Sequence, residues 1–140
     1  MEYLRVTERE FEELKRLEIA YKREIGEDAP DEAALIRLRE AIQREEILFF
    51  ACRDGESFLG CCSVSPIFST YDYRRGGVFD DFYIVPERRH TGIAKALVCY
   101  AYENSGVGAS LIVGCADCDR AMYAALGFRV PIGNMLAFGA

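Results

Sequence analysis

Residues 77–97 read GVFDDFYIVPERRHTGIAKAL, and this stretch decides the fold. Its first part is rich in apolar and aromatic residues and predicts a strand over residues 78–85. The strand is expected to end at Pro86, because proline has no N–H for a sheet ladder. Apolar residues then recur at helical spacing, which predicts a helix over residues 92–104. The stretch therefore predicts a strand, a short loop and a helix.

The loop between this strand and this helix has the composition of an anion site. Backbone N–H groups at the start of a helix lack partners within the helix, and Gly92 and Ala94 are small enough to let an anion approach closely. Arg88, Arg89 and Lys95 add positive charge in a chain that is otherwise acidic. The local residues fit a pyrophosphate cradle and a tight turn with solvated charges about equally well.

Two motifs make the chain resemble the GNAT superfamily of acetyl-CoA-dependent N-acetyltransferases. The family signature is a strand with Val-x-Pro-x-x-Arg and then Arg-x-x-Gly-x-Gly or Ala, and here IVPERR at residues 84–89 leads into RHTGIA at residues 89–94. A Tyr shortly before Leu-Gly-Phe is the second motif, matched by YAALGF at residues 123–128. The resemblance implies a mixed α/β (α+β) fold with a central, mostly antiparallel sheet of six to seven strands flanked by about four helices.

The resemblance also implies which residues bind acetyl-CoA, the expected co-substrate. Backbone groups of Phe82, Tyr83 and Ile84 would pair with its pantetheine arm. Backbone N–H groups of the loop would bind its pyrophosphate, and they belong to Arg89, His90, Thr91, Gly92, Ile93, Ala94 and Lys95. No metal is expected in such a site.

Tyr123 matches the family position whose hydroxyl protonates the leaving thiolate. A tyrosine with its usual pKa of about 10 is protonated at neutral pH, as a general acid must be. Without the motif, the simpler interpretation is a residue of an amphipathic helix that covers the core.

The chain departs from the family pattern at two positions. His90 stands where many members have Gly, does not freely adopt a positive φ, and is expected to narrow the loop. Ala116 stands where members often have an Asn that hydrogen-bonds the cofactor, so one contact is expected to be lost. Asp117 or Asp119 could replace that contact, but the favoured expectation is that they cap the short helix that follows.

Acceptor chemistry points to the two adjacent aspartates of the predicted strand. Direct attack on a thioester needs an uncharged amine, so a base must remove the ammonium proton. Neighbours on a strand point to opposite faces, so only one of Asp80 and Asp81 is expected to face the acceptor. FSTY at residues 68–71 and FDDFY at residues 79–83 look similar to polyamine and diamine acetyltransferases, where the first acidic residue handles the amine. This predicts Asp80 as the base, with Asp81 as the alternative.

An alternative of comparable weight is that both aspartates are solvated or paired with Arg74 and Arg75. Lys and Arg number 17 against 23 Asp and Glu, which gives a formal net charge of −6. An acidic domain steers cations toward it and is poorly suited to nucleic acid. A small amine is therefore the expected acceptor, with a drug, an amino acid or a protein amine still open.

The sequence lacks the signals of a membrane or exported protein. No apolar run approaches the roughly 18 residues that cross a bilayer, and the N-terminal residues MEYLRVTERE do not resemble a signal peptide. We therefore expect no membrane partner and a cytoplasmic protein, whose six Cys would be free thiols.

The rest of the chain predicts one domain over residues 1–140 with the order β-α-α-β-β-β-α-β-α-β-β. Thr7 and Glu10 form a capping box that predicts the start of the first helix, and Pro30-Asp31 precedes the second. The tail is expected to close the fold as a hairpin around Gly133-Asn134. This turn is very short for the final hairpin of the family and leaves little chain beside the acceptor, so a partner subunit is expected to supply the missing wall and a homodimer is expected.

Two other classes of function remain open. Cys115 and Cys118 form a C-x-x-C at a strand-to-helix junction, where thiol redox chemistry is possible. Buried structural thiols are the favoured interpretation, ahead of redox chemistry and then of zinc. A CoA-binding module without catalysis is the other alternative, which His90 and Ala116 keep open.

Overall fold

The computed structural model of the protein describes residues 1–70 and 72–139, so Tyr71 of the FSTY motif lies outside the described residues. The strands are β1 (Glu2–Arg5), β2 (Leu48–Asp54), β3 (Ser57–Ser69), β4 (Arg74–Ile84) and β5 (Leu111–Val113). The helices are α1 (Phe11–Glu24), α2 (Glu32–Gln43), α3 (Ile93–Asn104) and α4 (Arg120–Leu126).

The five strands form one sheet in the order β1-β2-β3-β4-β5. The first three pairs are antiparallel, and β5 joins β4 in parallel because α3 connects the two strands. The predicted mixed, mostly antiparallel sheet with four helices is confirmed. Its described residues contain five strands rather than six to seven.

Two clusters of buried side chains lie on opposite faces of the sheet. On one face α1 buries Phe11, Leu14 and Leu17 against Phe49 and Phe58. On the other face α3 covers a second cluster, formed by Leu48, Phe50, Cys52, Cys62, Val64, Phe79, Ile84, Ile93, Leu97, Val98, Ala101 and Val107. β3 is the central strand and β4 pairs with it, and both strands contribute side chains to the two clusters.

Local signals begin and end the first helices where the sequence predicts. Thr7 and Glu10 form the expected capping box, which opens a 3-10 turn that leads into α1. Gly26, with φ of 77°, follows the end of α1. The Asp31 side chain accepts a hydrogen bond of 2.8 Å from the Ala34 N–H and begins α2.

β4 begins four residues earlier than predicted. Its ladder with β3 continues to the pair Ser69 and Arg74, so the polar stretch 74–77 belongs to the strand. Gly76 and Gly77 are buried there, and a Cβ on Gly77 would meet Val64 Cγ1 at 2.5 Å. Close packing against β3 therefore explains glycine in a strand position that composition alone assigns to a loop.

The predicted closing hairpin is wrong for the described residues. Residues 128–139 form neither strand nor helix, and Leu136 and Phe138 are almost fully exposed. Pro131 has no N–H for a ladder, so it interrupts the first arm of the predicted hairpin. The tail contacts the sheet at least at one point, where Met135 Sδ lies against Gly114 just after β5. Among the helices described, none has the length and apolar character that a bilayer crossing requires.

Candidate active site

β4 contains a β-bulge at the aspartate pair. Ser63 of β3 pairs with Asp80, whereas Cys61, two residues earlier, pairs with Tyr83, three residues later. β4 therefore carries one extra residue at this point, and Asp81 has a left-handed backbone with φ of 51°. The bulge interrupts the alternation of side chains along the strand.

Because of the bulge, both carboxylates lie on the sheet face that carries α1, and the prediction that they point to opposite faces is wrong. The flanking Phe79 and Phe82 lie together on the α3 face, with ring centroids 5.5 Å apart. In a regular strand two residues three positions apart would face opposite sides. The sequence FDDF thus places its two rings on one face and its two carboxylates on the other.

Asp80 is exposed and is bound from two sides. Its Oδ1 accepts a hydrogen bond of 2.8 Å from the Asp81 N–H and one of 3.5 Å from the Tyr21 hydroxyl of α1. Arg74, a proposed ion-pair partner, lies 3.5 Å from Asp72 instead. Asp80 therefore presents a carboxylate to solvent at the point where α1 meets β4.

Asp81 is half-buried and is held by β3. Its Oδ2 accepts a hydrogen bond of 2.7 Å from the hydroxyl of Ser63, which is fully buried. Burial raises the pKa of the Asp81 carboxyl, the neighbouring Asp80 charge adds to that, and the Ser63 hydrogen bond offsets part of it.

Glu18 of α1 completes the group of carboxyls and was missed by the sequence analysis. Its side chain is only 5% exposed, and Oε1 has no hydrogen-bond partner among residues 1–70 and 72–139. Burial, and then the charge of Asp81 and a hydrogen bond with it, raise the pKa of Glu18 far above the usual range of a carboxyl. The available signal was position, because Glu18 lies on the apolar stripe of α1 between Leu14, Leu17 and Tyr21.

Tyr123 of α4 lies on the other side of β4, and its ring is half-buried against Phe82 at 6.2 Å and Phe128 at 5.8 Å between centroids. Burial raises its pKa to about 12, with smaller contributions from the charges of Asp119 and Asp80. The phenol is therefore protonated at neutral pH. It lies close enough to Asp80 to interact with its charge, although the two side chains come from opposite faces.

The edge of β4 opens just after the bulge begins. The last pair between β4 and β5 joins Phe79 to Val113, whereas β4 continues to Ile84. Backbone groups of β4 beyond Phe79 have no strand beside them on that edge among the described residues. The edge at Phe82 and Ile84 fits an extended ligand with amide groups, such as a pantetheine arm, although the Ile84 carbonyl already accepts a hydrogen bond of 2.8 Å from Arg89 Nε.

The loop after β4 leads into the N-terminus of α3 with two left-handed residues. Gly92 precedes the first helical residue with φ of 88°, and no side chain caps the helix. His90 has φ of 63°, so the expectation that it would resist a positive φ is wrong. A Cβ on Gly92 would meet nothing within 4 Å. An open, uncapped helix start of this kind fits a pyrophosphate.

The basic side chains of this loop are mostly bound elsewhere. Arg89 Nη2 lies 2.6 Å from Glu24 of α1, and its guanidinium covers the ring of Tyr83 at 5.5 Å from the centroid. Arg88 lies 3.6 Å from Asp54. The Arg89 N–H donates to the Pro86 carbonyl at 3.3 Å, so the loop offers the N–H groups that follow Arg89. Lys95 is the exposed cation at the helix start.

The cysteines divide into two groups. Cys52, Cys61 and Cys62 are buried in the sheet, and burial raises the pKa of each thiol. Cys115 and Cys118 are exposed, which contradicts their assignment as buried structural thiols. In the part of the chain described, no three His, Cys, Asp or Glu side chains form a group that could hold a metal ion.

The start of α4 differs from the prediction in one detail. Ala116 and Asp117 lead into a 3-10 turn over Asp117–Asp119, and Asp119 precedes α4. Neither turn nor helix has a side-chain cap, so the expected capping by Asp117 or Asp119 is not found. Asp119 instead contributes charge beside the Tyr123 phenol.

Comparison with known proteins agrees with this geometry. The family described as "Acetyltransferase (GNAT) domain" matches residues 44–130. No curated protein matches significantly. A probable acetyltransferase of known structure superimposes with a TM-score of 0.85 at 20% identity, covering 100% of this chain and 99% of its own.

Two further solved structures are similar at lower identity. A predicted acetyltransferase from Clostridium acetobutylicum, solved with acetyl-CoA, has a TM-score of 0.76 at 15% identity, covering 98% of this chain and 95% of its own. An aminoglycoside acetyltransferase from an uncultured soil metagenomic sample, solved with sisomicin, has a TM-score of 0.75 at 14% identity over 99% and 93% of the two chains. At these identities the likeness shows the fold.

Proposed function

The chain belongs to the GNAT acetyltransferase family, and we propose that it acetylates a small cationic amine by direct attack on acetyl-CoA. The family membership makes it an acetyl-CoA-dependent N-acetyltransferase. The identity of the acceptor, the direct attack and the role of each residue are our proposals.

The observation that carries the choice of acceptor is the position of the two aspartates. The bulge gathers Asp80 and Asp81 on one face, beside a third carboxyl of α1 and the hydroxyl of Tyr21. The charge of Lys22 lowers the pKa of Asp81, but its Nζ lies 3.0 Å from Glu27, which compensates part of that charge. A concentration of negative charge with little compensation attracts a cationic amine.

On the donor side we assign the thioester substrate to the open edge of β4 and the start of α3. The backbone of Phe82, Tyr83 and Ile84 would hold the pantetheine arm, with Ile84 sharing its carbonyl with Arg89. The pyrophosphate would take the backbone N–H groups from His90 to Lys95. When bound, acetyl-CoA supplies an activated acetyl carbon and a thiolate leaving group.

We assign the proton transfers to side chains on the two sides of β4. Asp80 receives the ammonium of the acceptor and takes its proton, with Asp81 as the alternative base. Tyr123 donates its phenolic proton to the departing thiolate, for which a protonated phenol at neutral pH is required. The acceptor nitrogen then attacks from the α1 face toward the open edge of β4.

The proposal is tested by binding and transfer measured separately. Acetyl-CoA is titrated into the protein by calorimetry, and a panel of spermidine, glucosamine, sisomicin and a peptide with a free N-terminus is then offered as acceptor. Products are detected by mass spectrometry, because three exposed cysteines, Cys99, Cys115 and Cys118, would react with a thiol reagent. Transfer to spermidine or sisomicin alone supports a small cationic acceptor. Transfer to the peptide alone contradicts it, and binding without transfer indicates a CoA-binding module.

Tyr123→Phe tests the general acid directly. Turnover should fall by roughly 10²- to 10⁴-fold, which is the usual contribution of a positioned acid. Calorimetric affinity for acetyl-CoA should stay nearly unchanged, since the ring contacts with Phe82 and Phe128 remain. Tyr102→Phe is the matched control, because its hydroxyl bonds the Ala109 carbonyl at 2.8 Å and not the site. An unchanged rate in Tyr123→Phe removes this residue from the mechanism.

We also propose that the enzyme is a cytoplasmic homodimer. All six cysteines are free thiols, which suits a reducing compartment. Large apolar side chains of the tail are mostly exposed, among them Val130, Ile132, Met135, Leu136 and Phe138. Covering such side chains with a second copy would remove apolar surface from water. Sedimentation equilibrium of the chain and of its Leu136→Ser/Phe138→Ser variant tests this, and a monomeric parent chain would refute it.

A further inference from the structure

The buried carboxyl of Glu18 has no role in the proposed transfer so far. It lies on α1 with 5% of its surface exposed, and its Oε1 has no hydrogen-bond partner within the described chain. An ionised carboxylate with an unsatisfied oxygen is costly in such a place, because burial removes its hydration. The carboxyl must therefore bind a proton or interact with a group that supplies one.

Asp81 shares a side-chain hydrogen bond with Glu18. Asp81 already accepts a hydrogen bond from Ser63 through Oδ2, and its own N–H is bound to Asp80. Two carboxyls in contact cannot both be ionised without strong repulsion, so the stable arrangement keeps one proton between them. Burial of both side chains acts in the same direction.

The groups that face this pair come from every element packed against it. They are Tyr21 and Lys22 of α1, Cys61 and Ser63 of β3, and Asp80 of β4. Lys22 is the cation among them, and it is held by Glu27 at 3.0 Å. The remaining groups are neutral or anionic, so they favour retention of the shared proton.

We propose that Glu18 is a positioning residue that acts through Asp81: the two carboxyls form a proton-sharing pair, and this pair takes over the proton that Asp80 removes from the acceptor ammonium. The inference rests on the proposed function, since it concerns the acceptor half of the same site. It assigns to α1 a role in the chemistry that the sequence motifs do not indicate.

The resting pair first releases its shared proton to solvent. The acceptor ammonium then gives one proton to Asp80, and that proton passes to the pair directly or through one water. The neutral amine then forms the C–N bond as the C–S bond of the thioester breaks, and the thiolate takes the phenolic proton of Tyr123. The phenolate regains a proton from the nitrogen that becomes the amide, and the pair again holds its shared proton, as in the resting state.

The pair without its shared proton is a better proton acceptor than Asp80 alone. A primary ammonium has a pKa of about 10.4 and an ordinary Asp carboxyl one of about 3.9, so transfer to an ordinary carboxylate is uphill by more than six pKa units. A pair that binds its proton more tightly reduces this difference. The rate should therefore rise with pH as the resting pair loses its shared proton, above the range in which isolated carboxyls titrate.

The first measurement detects the shared proton itself and does not depend on activity. Infrared difference spectra of the full chain, recorded across the pH range in D₂O, should show the carbonyl band of a protonated carboxyl that persists to neutral pH. The band should be absent in Glu18→Gln. In Asp81→Asn it should disappear at lower pH than in the parent chain, because burial still raises the pKa of Glu18 but the charge of Asp81 no longer does. Circular dichroism checks the folding of both variants. Its persistence in Glu12→Gln, an exposed position of the same helix, is the control. Absence of the band in the parent chain overturns the proposal.

The second measurement is the pH profile of kcat/KM with spermidine, or with whichever amine of the panel reacts. Glu18→Gln should move the rising limb of the profile to lower pH by about one unit or more, and lower its plateau roughly tenfold, because Asp81 alone binds a proton less tightly. A purely structural role would lower the rate at all pH values and leave the limb in place. That result, with the infrared band present, overturns the proposal.

Failure of the proposed function is distinguishable from these outcomes. A chain that binds acetyl-CoA but acetylates no amine of the panel contradicts the function, whereas the infrared band is still measured. A shared proton in a chain without transfer overturns the role in catalysis. A shifted rising limb of the pH profile in Glu18→Gln, together with the infrared band in the parent chain, supports both the proposed function and the proton-sharing pair.

Discussion

Substitutions at two residues of the loop before α3 should change the free energy of unfolding in opposite directions. His90 and Gly92 both have a left-handed backbone, with φ of 63° and 88°. This conformation costs an L-residue with a side chain about 1–2 kcal/mol. Glycine adopts it freely but loses about 0.5–1 kcal/mol more backbone entropy on folding. His90→Gly removes the first cost and adds the second, so we expect it to raise the free energy of unfolding by about 0.5–1 kcal/mol.

Gly92→Ala reverses both contributions. Alanine must adopt the left-handed conformation, and the free energy of unfolding should fall by about 0.5–1 kcal/mol. Nothing lies within 4 Å of a Cβ at this position, so the cost comes from the backbone and not from a collision. The two variants should therefore differ from each other by about 1–2 kcal/mol, although they lie two residues apart.

Urea unfolding followed by far-ultraviolet circular dichroism measures these changes, since the chain has no Trp to report by fluorescence. In a thermal scan each kcal/mol should move Tm by about 3 °C. Calorimetric titration with acetyl-CoA adds a functional readout, and Gly92→Ala should weaken binding because the first N–H groups of α3 are displaced.

Gly106→Ala is the matched control for this pair. Gly106 has φ of 75° and equally open surroundings, but it follows the end of α3. It should lose the same stability and keep its affinity for acetyl-CoA. The reasoning is refuted if His90→Gly lowers the free energy of unfolding, or if Gly92→Ala and Gly106→Ala weaken acetyl-CoA binding equally.

Three further perturbations have expected outcomes. Gly77→Ala would place a Cβ 2.5 Å from Val64 Cγ1 between packed strands, so it should lower the free energy of unfolding by about 1–3 kcal/mol in urea titrations. Asp80→Asn should lower kcat/KM for the amine by roughly 10²- to 10⁴-fold with little change in acetyl-CoA affinity by calorimetry, because it removes both the exposed charge and the proposed base. The raised pKa of Glu18 means that the folded state binds more protons than the unfolded state, so stability should fall with rising pH between the usual carboxyl range and the raised value, at up to about 1.4 kcal/mol per pH unit. Urea titrations of Glu18→Gln should show a smaller slope, and an equal slope would contradict the assignment.

The local elements of the fold could be predicted because short-range signals specify them. Thr7 with Glu10, and Asp31 before α2, satisfy backbone N–H groups that the helices leave free, and this depends on neighbouring residues alone. The strand-loop-helix of residues 78–104 follows from periodicity and from Pro86. The closing hairpin could not be judged in the same way, because a hairpin needs a partner surface that the local sequence does not describe.

The candidate site was predictable only in part. The donor side follows from a contiguous motif, whereas the acceptor side depends on register between two strands. Ser63 pairs with Asp80 but Cys61 pairs with Tyr83, so β4 has one residue more than β3 between these pairs. Nothing in the sequence FDDF by itself indicates this bulge. Glu18 could have been found from the sequence, because it lies on the apolar stripe of α1 and a buried charged residue usually has a partner.

The bulge also divides β4 into two segments of opposite parity. Up to Asp80, residues with even numbers face α1, and from Phe82 onward those with odd numbers do, as Tyr83 shows. Deleting one residue at position 81 would restore a single parity by pulling the following segment back by one place. Phe82 and Tyr83 would keep their present faces, because the pair Cys61 and Tyr83 would then continue the same register as the pair Ser63 and Asp80. An inserted residue would instead need a larger bulge, or the segment that carries the acetyl-CoA edge would turn over. A deletion at this point is therefore less disruptive to β4 than an insertion, although it removes one carboxyl of the acceptor site.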